Sequence, residues 1–215
     1  MGKIRVDSMI KIVCFDFSKT VSMDSGFGSG PIYMGRKKEY DEIYKKFNLH
    51  ELDEEQFILS VIKLWKGIGK SDLLKIYKKI RLSKNVKSTL RKLKRKEIRT
   101  ALVSFLPLAL AEFYRDLGFD YISATKCDIK NGKISGKVRR MNADKYKSIM
   151  EICKNAKLKP KECMVVGDGL QDIRMFKAVG YNNSVAFNEQ NEVKKYAKYH
   201  IKDFKELIPM VDSIK

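Results

Sequence analysis

Short apolar runs alternate along this chain with stretches of helical periodicity. Ile12-Val13-Cys14-Phe15 and Cys163-Met164-Val165-Val166 are unbroken apolar runs, the pattern of strands buried on both faces of a parallel sheet. Arg99-Thr100-Ala101-Leu102-Val103-Ser104 reads as another strand, preceded by a helix carrying Val86, Leu90 and Leu93 and followed by Pro107 at the first turn of the next helix. Residues 121–138 read as a hairpin turning at Asn131-Gly132. Helices over about 143–157 and 170–179, with short strands near Ser184 to Phe187 and His200 to Ile201, complete the alternation. It predicts an α/β fold with a parallel sheet flanked by helices.

Two stretches interrupt that rhythm. Ser22 to Gly35, containing Ser25-Gly26-Phe27-Gly28-Ser29-Gly30-Pro31, has the composition of a flexible linker able to act as a hinge. From about 36 to 80 the periodicity is helical throughout: Phe57, Val61, Leu64 and Trp65 fall on one stripe, Leu73, Tyr77 and Ile80 on another. We read a small insertion of three or so helices. Met9, just before the first strand, is a candidate natural start, which makes residues 1–8 a dispensable tail.

The 215 residues, 44% apolar and 33% charged, suit an ordered globular chain with one sizeable core. A net charge of +19 raises nucleic acid or an acidic membrane as partner, yet only ten of the 45 basic residues are arginine. Arginine makes the bidentate and stacked contacts to nucleic acid, whereas lysine excess is a compositional habit of some thermophiles. We take the lysines as a solvated surface and do not expect nucleic acid as a dedicated partner. Cys14, Cys127, Cys153 and Cys163 lack close-paired spacing and read as reduced core residues. The longest apolar tract, Ala101 to Phe113, is broken by Ser104 and Pro107 and is too short to span a bilayer. With no hydrophobic signal core at the N-terminus, the expected location is the cytoplasm, with no membrane partner.

Asp16 and Asp168 each stand just past an apolar run, where a parallel strand ends and the carboxyl edge of the sheet forms its usual ligand crevice. Two carboxylates aimed at one point need a cation between them. That suggests Mg²⁺-assisted chemistry on a phosphate, a hard cation with oxygen ligands holding a hard anion.

Four signals then occur in order: Asp16-Phe17-Ser18-Lys19-Thr20, Ser104 after the second strand, Lys145 opening a later helix, and Gly167-Asp168-Gly169-Leu170-Gln171-Asp172. Together they resemble the motifs of the haloacid dehalogenase-like (HAD) phosphatase superfamily, in the spacing of its phosphoserine phosphatase-like branch. The resemblance implies a Rossmann-like three-layer core over residues 1–20 and 83–215, with a helical C1-type cap inserted at 21–82. It implies Asp16 as a nucleophile that forms an aspartyl-phosphate. Mg²⁺ would be held by Asp16, Asp168 and the main-chain carbonyl of Ser18, with Asp172 either a further ligand or a partner of one. Lys145, Thr20 and Ser104 would meet the phosphoryl oxygens, where charge develops in the transition state.

The chain also departs from that pattern. Ser18 stands where most phosphatases of the family carry the acid/base aspartate. A serine hydroxyl orients water but cannot hold and return a proton near neutral pH, and such assistance is worth roughly 10²–10⁴ in rate. Three consequences are open: slow hydrolysis of activated esters, rescue by another carboxylate, with Asp24 the nearest in sequence, or ligand binding without efficient turnover. The branch's substrate-reading Glu and cap Arg fall at Ser25 and Val61, and Phe105-Leu106-Pro107 follow Ser104 in place of Gly-Gly. With neither partner for a zwitterion, phosphoserine is not the expected substrate. Phe57, Val61 and Trp65 either line an apolar pocket or form the cap's own core.

The expected function is Mg²⁺-dependent hydrolysis of a small phosphomonoester. The alternative is a HAD protein of weak turnover that binds a phosphate ligand or nucleic acid. Oligomeric state is left open.

Overall fold

The protein is described by a computed structural model that places residues 9–188 and 191–214. The tail expected at residues 1–8 lies outside the described residues. Seven strands form one sheet: β1 (Ile12–Asp16), β2 (Arg99–Pro107), β3 (Tyr121–Lys130), β4 (Lys133–Arg140), β5 (Cys163–Gly167), β6 (Ser184–Phe187) and β7 (Tyr199–Ile201). The described α-helices are α1 (Ser29–Tyr33), α2 (Lys37–Asn48), α3 (Glu54–Leu64), α4 (Lys70–Lys79), α5 (Val86–Arg95), α6 (Leu108–Ala111), α7 (Lys145–Ala156), α8 (Ile173–Val179), α9 (Asn191–Lys194) and α10 (Leu207–Ser213).

Strand order is β4-β3-β2-β1-β5-β6-β7, parallel at every pairing except the β3–β4 hairpin. The chain winds outward from β1 to β2 on one side and returns to β5 on the other. Beside β1 lies the switch point at which open α/β sheets bind ligands.

Alternation along β1 explains the three layers. Val13 and Phe15 join one buried cluster with Leu90, Leu93, Leu207 and Val211 of α5 and α10. Ile12 and Cys14 join the other, with Ile149 and Ile152 of α7 and Met175 and Phe176 of α8. Each such side chain gains about 1.5–3 kcal/mol from full burial, which anchors the strand that carries Asp16 at its end. All four cysteines are free and buried, and no described helix is long and apolar enough to cross a membrane.

Pro107 is placed differently from the sequence expectation. β2 continues through it, with a register shift against β3 between Val103 and Pro107, so Pro107 ends the strand and precedes α6. A residue without an N–H suits a strand end as well as a first helical turn.

Between β1 and α5 the chain forms α1 to α4. It leaves and rejoins the sheet region at one point: Ser22 and Leu82 bridge antiparallel, the Met23 N–H donates to the Arg81 carbonyl at 2.9 Å, and the Ser83 N–H donates to the Val21 carbonyl at 2.9 Å. At the far end the Gly67 N–H donates to the Ile134 carbonyl and the Ile134 N–H to the Ile68 carbonyl, both at 2.9 Å. These bonds seat the helical segment on β4. Asp53 starts α3 with a reciprocal cap: its carboxylate accepts from the Gln56 N–H at 2.8 Å while its own N–H donates to Gln56 Oε1 at 3.0 Å.

The expected flexible linker is a packed segment. A Cβ on Gly26, Gly28 or Gly30 would lie 2.3, 2.6 or 2.4 Å from the rings of Phe17, Tyr40 and Trp65, respectively. Phe27 between them is buried, and its carbonyl accepts the Trp65 indole N–H at 3.1 Å. Glycine here permits close approach, a role that composition cannot separate from backbone freedom.

Candidate active site

Parallel register brings the motif ends together. Asp16 pairs with Val103 of β2, and Phe15 pairs with Val166 of β5, so Ser104 and Gly167-Asp168 emerge beside Asp16 at the carboxyl edge. Lys145 joins them as the first residue of α7. That helix is started by Asp144, whose carboxylate accepts from the N–H groups of Tyr146 and Lys147 at 3.0 and 3.3 Å.

Lys145 Nζ donates to Asp16 Oδ1 at 2.5 Å and to Asp172 Oδ1 at 2.6 Å. Asp172 uses its other oxygen to accept the N–H groups of Asp168 and Gly169 at 2.9 and 3.0 Å. It can approach because Gly167 has no side chain: a Cβ there would lie 2.5 Å from Asp172. One oxygen from each of Asp16, Asp168 and Asp172 falls within 4.8 Å of the others, and all three residues are buried.

Charge accounting shows what this cluster lacks. Burial first, then the Asp172 carboxylate, pushes Asp16 up to about 7 against the pull of Lys145. Burial, then the charges of Asp16 and Asp172, pushes Asp168 up to about 8. For Lys145, burial acts to lower the pKa, but Asp16 and Asp172 outweigh it and the ammonium is pushed up. One ammonium cannot neutralise three buried carboxylates, and the uncompensated negative charge adds to burial in raising Asp16 and Asp168. Buried hard oxygens with a charge deficit fit a divalent cation such as Mg²⁺.

A cavity of about 150 Å³ opens on the cluster. Asp16, Ser104, Lys145, Asp168 and Asp172 line it on the side of the sheet, and Ser18 also faces it. The Ser18 hydroxyl accepts the Gly26 N–H at 3.1 Å. Ser104 Oγ accepts the Leu106 N–H at 3.2 Å, while the Asn142 side-chain amide holds the Ser104 carbonyl at 2.8 Å. Phe105, in place of a small residue, lies with its ring 5.0 Å from Lys145 Nζ, within reach of a cation–π contact.

Other sequence candidates fall elsewhere. Thr20 is fully buried and absent from the lining; its hydroxyl donates to Asp168 Oδ1 at 3.0 Å, which orients that carboxylate. Asp24, the rescue candidate, is paired with Arg81 at 3.0 Å on an exposed surface and does not line the cavity. Val61 and Trp65 are fully buried inside the helical segment, whereas Phe57 reaches the cavity. Ser25 lines it with its hydroxyl 2.7 Å from the Tyr40 hydroxyl.

Sequence reasoning missed the opposite wall. Tyr40, Tyr44 and Phe47 of α2 line the cavity, together with Phe27 and Lys19. A signal was present: the three α2 aromatics are spaced i, i+4 and i+7 in a helix whose one other apolar residue is Ile43, which marks one face.

The haloacid dehalogenase-like hydrolase family matches residues 10–180, and the protein belongs to that family. Fold and enzyme class agree with it: an α/β core with a mostly parallel sheet, in a HAD-like phosphatase. The phosphoserine phosphatase of Methanocaldococcus jannaschii is 27% identical over 208 residues, 94% of this chain and 97% of its own. That of Lactococcus lactis is 28% identical over 169 residues, 76% of each chain. A solved phosphoserine phosphatase, an analogue of its phospho-aspartyl intermediate, is similar with a TM-score of 0.79 and 26% identity over 93% of this chain and 98% of its own.

Proposed function

We propose that this protein is a Mg²⁺-dependent phosphomonoester hydrolase that acts through an aspartyl-phosphate on a small phosphorylated metabolite other than phosphoserine. One observation carries the reading: three buried carboxylates and a buried ammonium, from β1, α7 and the loop after β5, converge on one cavity.

Asp16 is the nucleophile, which divides one hard displacement into formation and hydrolysis of an acyl-phosphate. Lys145 holds Asp16 in place and lends positive charge to the phosphoryl oxygens, and the Ser104 hydroxyl is a further donor to them. Asp16, Asp168, Asp172 and the Ser18 carbonyl are the proposed holders of Mg²⁺, which supplies charge neutralisation between two anions that must approach each other. Thr20 acts one bond away by fixing Asp168.

Residues 21–82 are the proposed cap over a core of 1–20 and 83–215, and the single crossing point at Ser22 and Leu82 supports that division. The cap's work is to exclude water and shape the substrate site. For a zwitterionic substrate the wall is poorly equipped: Lys19 could meet a carboxylate, but no described lining carboxylate outside the acidic cluster faces an amine. The cytoplasm is the proposed compartment, on the sequence argument alone.

Ser18 favours a second reading, a phosphate-binding protein of weak turnover, because the described lining offers no further carboxylate for proton transfer. Release of inorganic phosphate from acetyl phosphate and p-nitrophenyl phosphate, with and without Mg²⁺, separates the two. Under the enzyme reading, turnover requires Mg²⁺ and Asp16→Asn abolishes it. Equal rates for both proteins would remove the enzyme reading.

A further inference from the structure

We infer that the ester this site accepts carries a second anionic group, a carboxylate on a short alcohol, and that Lys19 and Tyr44 bind it. This rests on the phosphatase reading above and adds the substrate class to it.

Charge is divided between the cavity's two walls. The acidic cluster and Lys145 line the sheet side, and Lys19 lines the other with the rings of α2. Its ammonium donates to the Tyr44 hydroxyl at 3.2 Å and lies 5.5 Å from the centre of that ring. Among the described residues Lys19 has no carboxylate partner, whereas Lys145 has two. An ammonium offers three N–H donors, so Lys19 has others to give, and the Tyr44 hydroxyl, having accepted one, keeps its own proton to donate. A half-buried cation without a counter-charge favours an anion brought in from outside. Ammonium and hydroxyl side by side suit a carboxylate, which accepts charge-assisted hydrogen bonds on both oxygens.

The backbone is shaped to put Lys19 there. It has φ 60° and ψ 3°, in the left-handed region that favours glycine and costs a residue with a Cβ. Two bonds hold it: its N–H donates to the Asp24 carbonyl at 3.3 Å, and its carbonyl accepts the Asn188 side-chain amide at 3.2 Å. The turn carries the side chain away from the end of β1 and across to α2, where the ammonium meets Tyr44. Strained residues of this kind cluster at ligand clamps.

Size and polarity limit the alcohol. About 150 Å³ must hold the phosphoryl group against Asp16 as well as the rest of the ester, so only a few carbons separate the two anions. Phe27, Phe47, Phe57 and Phe105 supply rings to the remaining lining and offer no partners for a row of further hydroxyls. An amine beside the carboxylate, as in phosphoserine, meets no described lining carboxylate outside the acidic cluster. The chemistry that fits is the phosphate ester of a short hydroxy acid without an amine.

The test uses the whole protein with Mg²⁺ and compares phosphate release from glycolate phosphate, hydroxyethyl phosphate, phosphoserine and acetyl phosphate. The first two differ by a carboxylate against a hydroxymethyl group. Glycolate phosphate should exceed hydroxyethyl phosphate in kcat/KM by about 10- to 100-fold, carried mainly by KM, and should exceed phosphoserine as well. Lys19→Met should erase the first ratio, and Lys19→Arg should keep most of it. Esters turned over too slowly to follow are read as competitive inhibitors of p-nitrophenyl phosphate hydrolysis, with the same ratio expected between their inhibition constants. Equal values for the glycolate and hydroxyethyl esters would overturn the inference. So would a Lys19→Met loss that is the same for both, because a lysine that only latches α2 to the site serves every substrate alike. Phosphoserine equal to or better than glycolate phosphate would overturn the amine-free class. Failure to release phosphate from acetyl phosphate and p-nitrophenyl phosphate alike is the distinct result that removes the phosphatase reading and this inference with it.

Discussion

Lys145 Nζ meets Asp16 Oδ1 at 2.5 Å across 129 residues of chain, and both groups are buried. The same ammonium also holds Asp172, so one side chain joins the end of β1 to the loop after β5. Removing it leaves carboxylates buried without their counter-charge. Lys145→Met should cost about 3–5 kcal/mol in chelator, the usual cost of orphaning a buried charge, and lower turnover by about 10²–10³. Thermal unfolding with EDTA and with Mg²⁺, alongside phosphate release, checks both; an unchanged melting temperature in EDTA would contradict the ion-pair account.

Stability of the metal-free protein should depend on pH with a definite sign. Asp16 and Asp168 are raised above their ordinary 3.8 to about 7 and about 8. Groups raised on folding contribute stability below the unfolded pKa that is lost as pH climbs through the folded one. The melting temperature in EDTA should therefore fall between about pH 5 and 8. Lys145, also raised, keeps its contribution throughout this window. Stabilisation by added Mg²⁺ should be larger at pH 8 than at pH 5.5, because the cation binds the deprotonated carboxylates. Equal Mg²⁺ stabilisation at both values counts against these residues as its holders.

Gly167→Ala tests the seat of Asp172. Its Cβ would lie 2.5 Å from the Asp172 side chain, and overpacking of this kind costs about 1–3 kcal/mol. Displaced Asp172 also releases the Asp168 and Gly169 N–H groups, so Mg²⁺-dependent turnover should fall with the melting temperature. Full turnover in a destabilised variant would show that Asp172 need not sit where it does.

Gly30→Ala tests the packed segment after β1. The added methyl meets the Trp65 ring at 2.4 Å and should destabilise by about 1–3 kcal/mol. Trp65→Phe in the same chain should recover part of that loss, a coupling a double-mutant cycle measures. A flexible linker would tolerate Gly30→Ala without effect.

Ser18→Asp asks whether proton transfer limits the reaction. The new carboxylate can accept the Gly26 N–H as the Ser18 hydroxyl does at 3.1 Å, so the turn should persist. Hydrolysis of alkyl phosphates should rise by about 10²-fold or more, and that of aryl phosphates much less. A uniform loss for both ester classes would mean that Ser18 is needed as it stands.

The sequence by itself determined the strands and the ends of them that carry charge. Unbroken apolar runs at Ile12 to Phe15 and Cys163 to Val166 can be buried only on two faces, and the aspartates that follow must then lie at the sheet edge. Asp16 and Asp168 were legible for that reason, whereas Ser104 and Lys145 stood out only because the four motifs in order resemble the HAD pattern. Long-range packing decided the rest. Periodicity marks an apolar face on α2 but not what that face meets, so the wall formed by Tyr40, Tyr44 and Phe47 emerged only in three dimensions. Thr20 turned to Asp168, and the glycines of 26–30 filled against rings from distant segments, because a side chain's partner depends on which elements pack beside it, and local sequence holds no record of that choice.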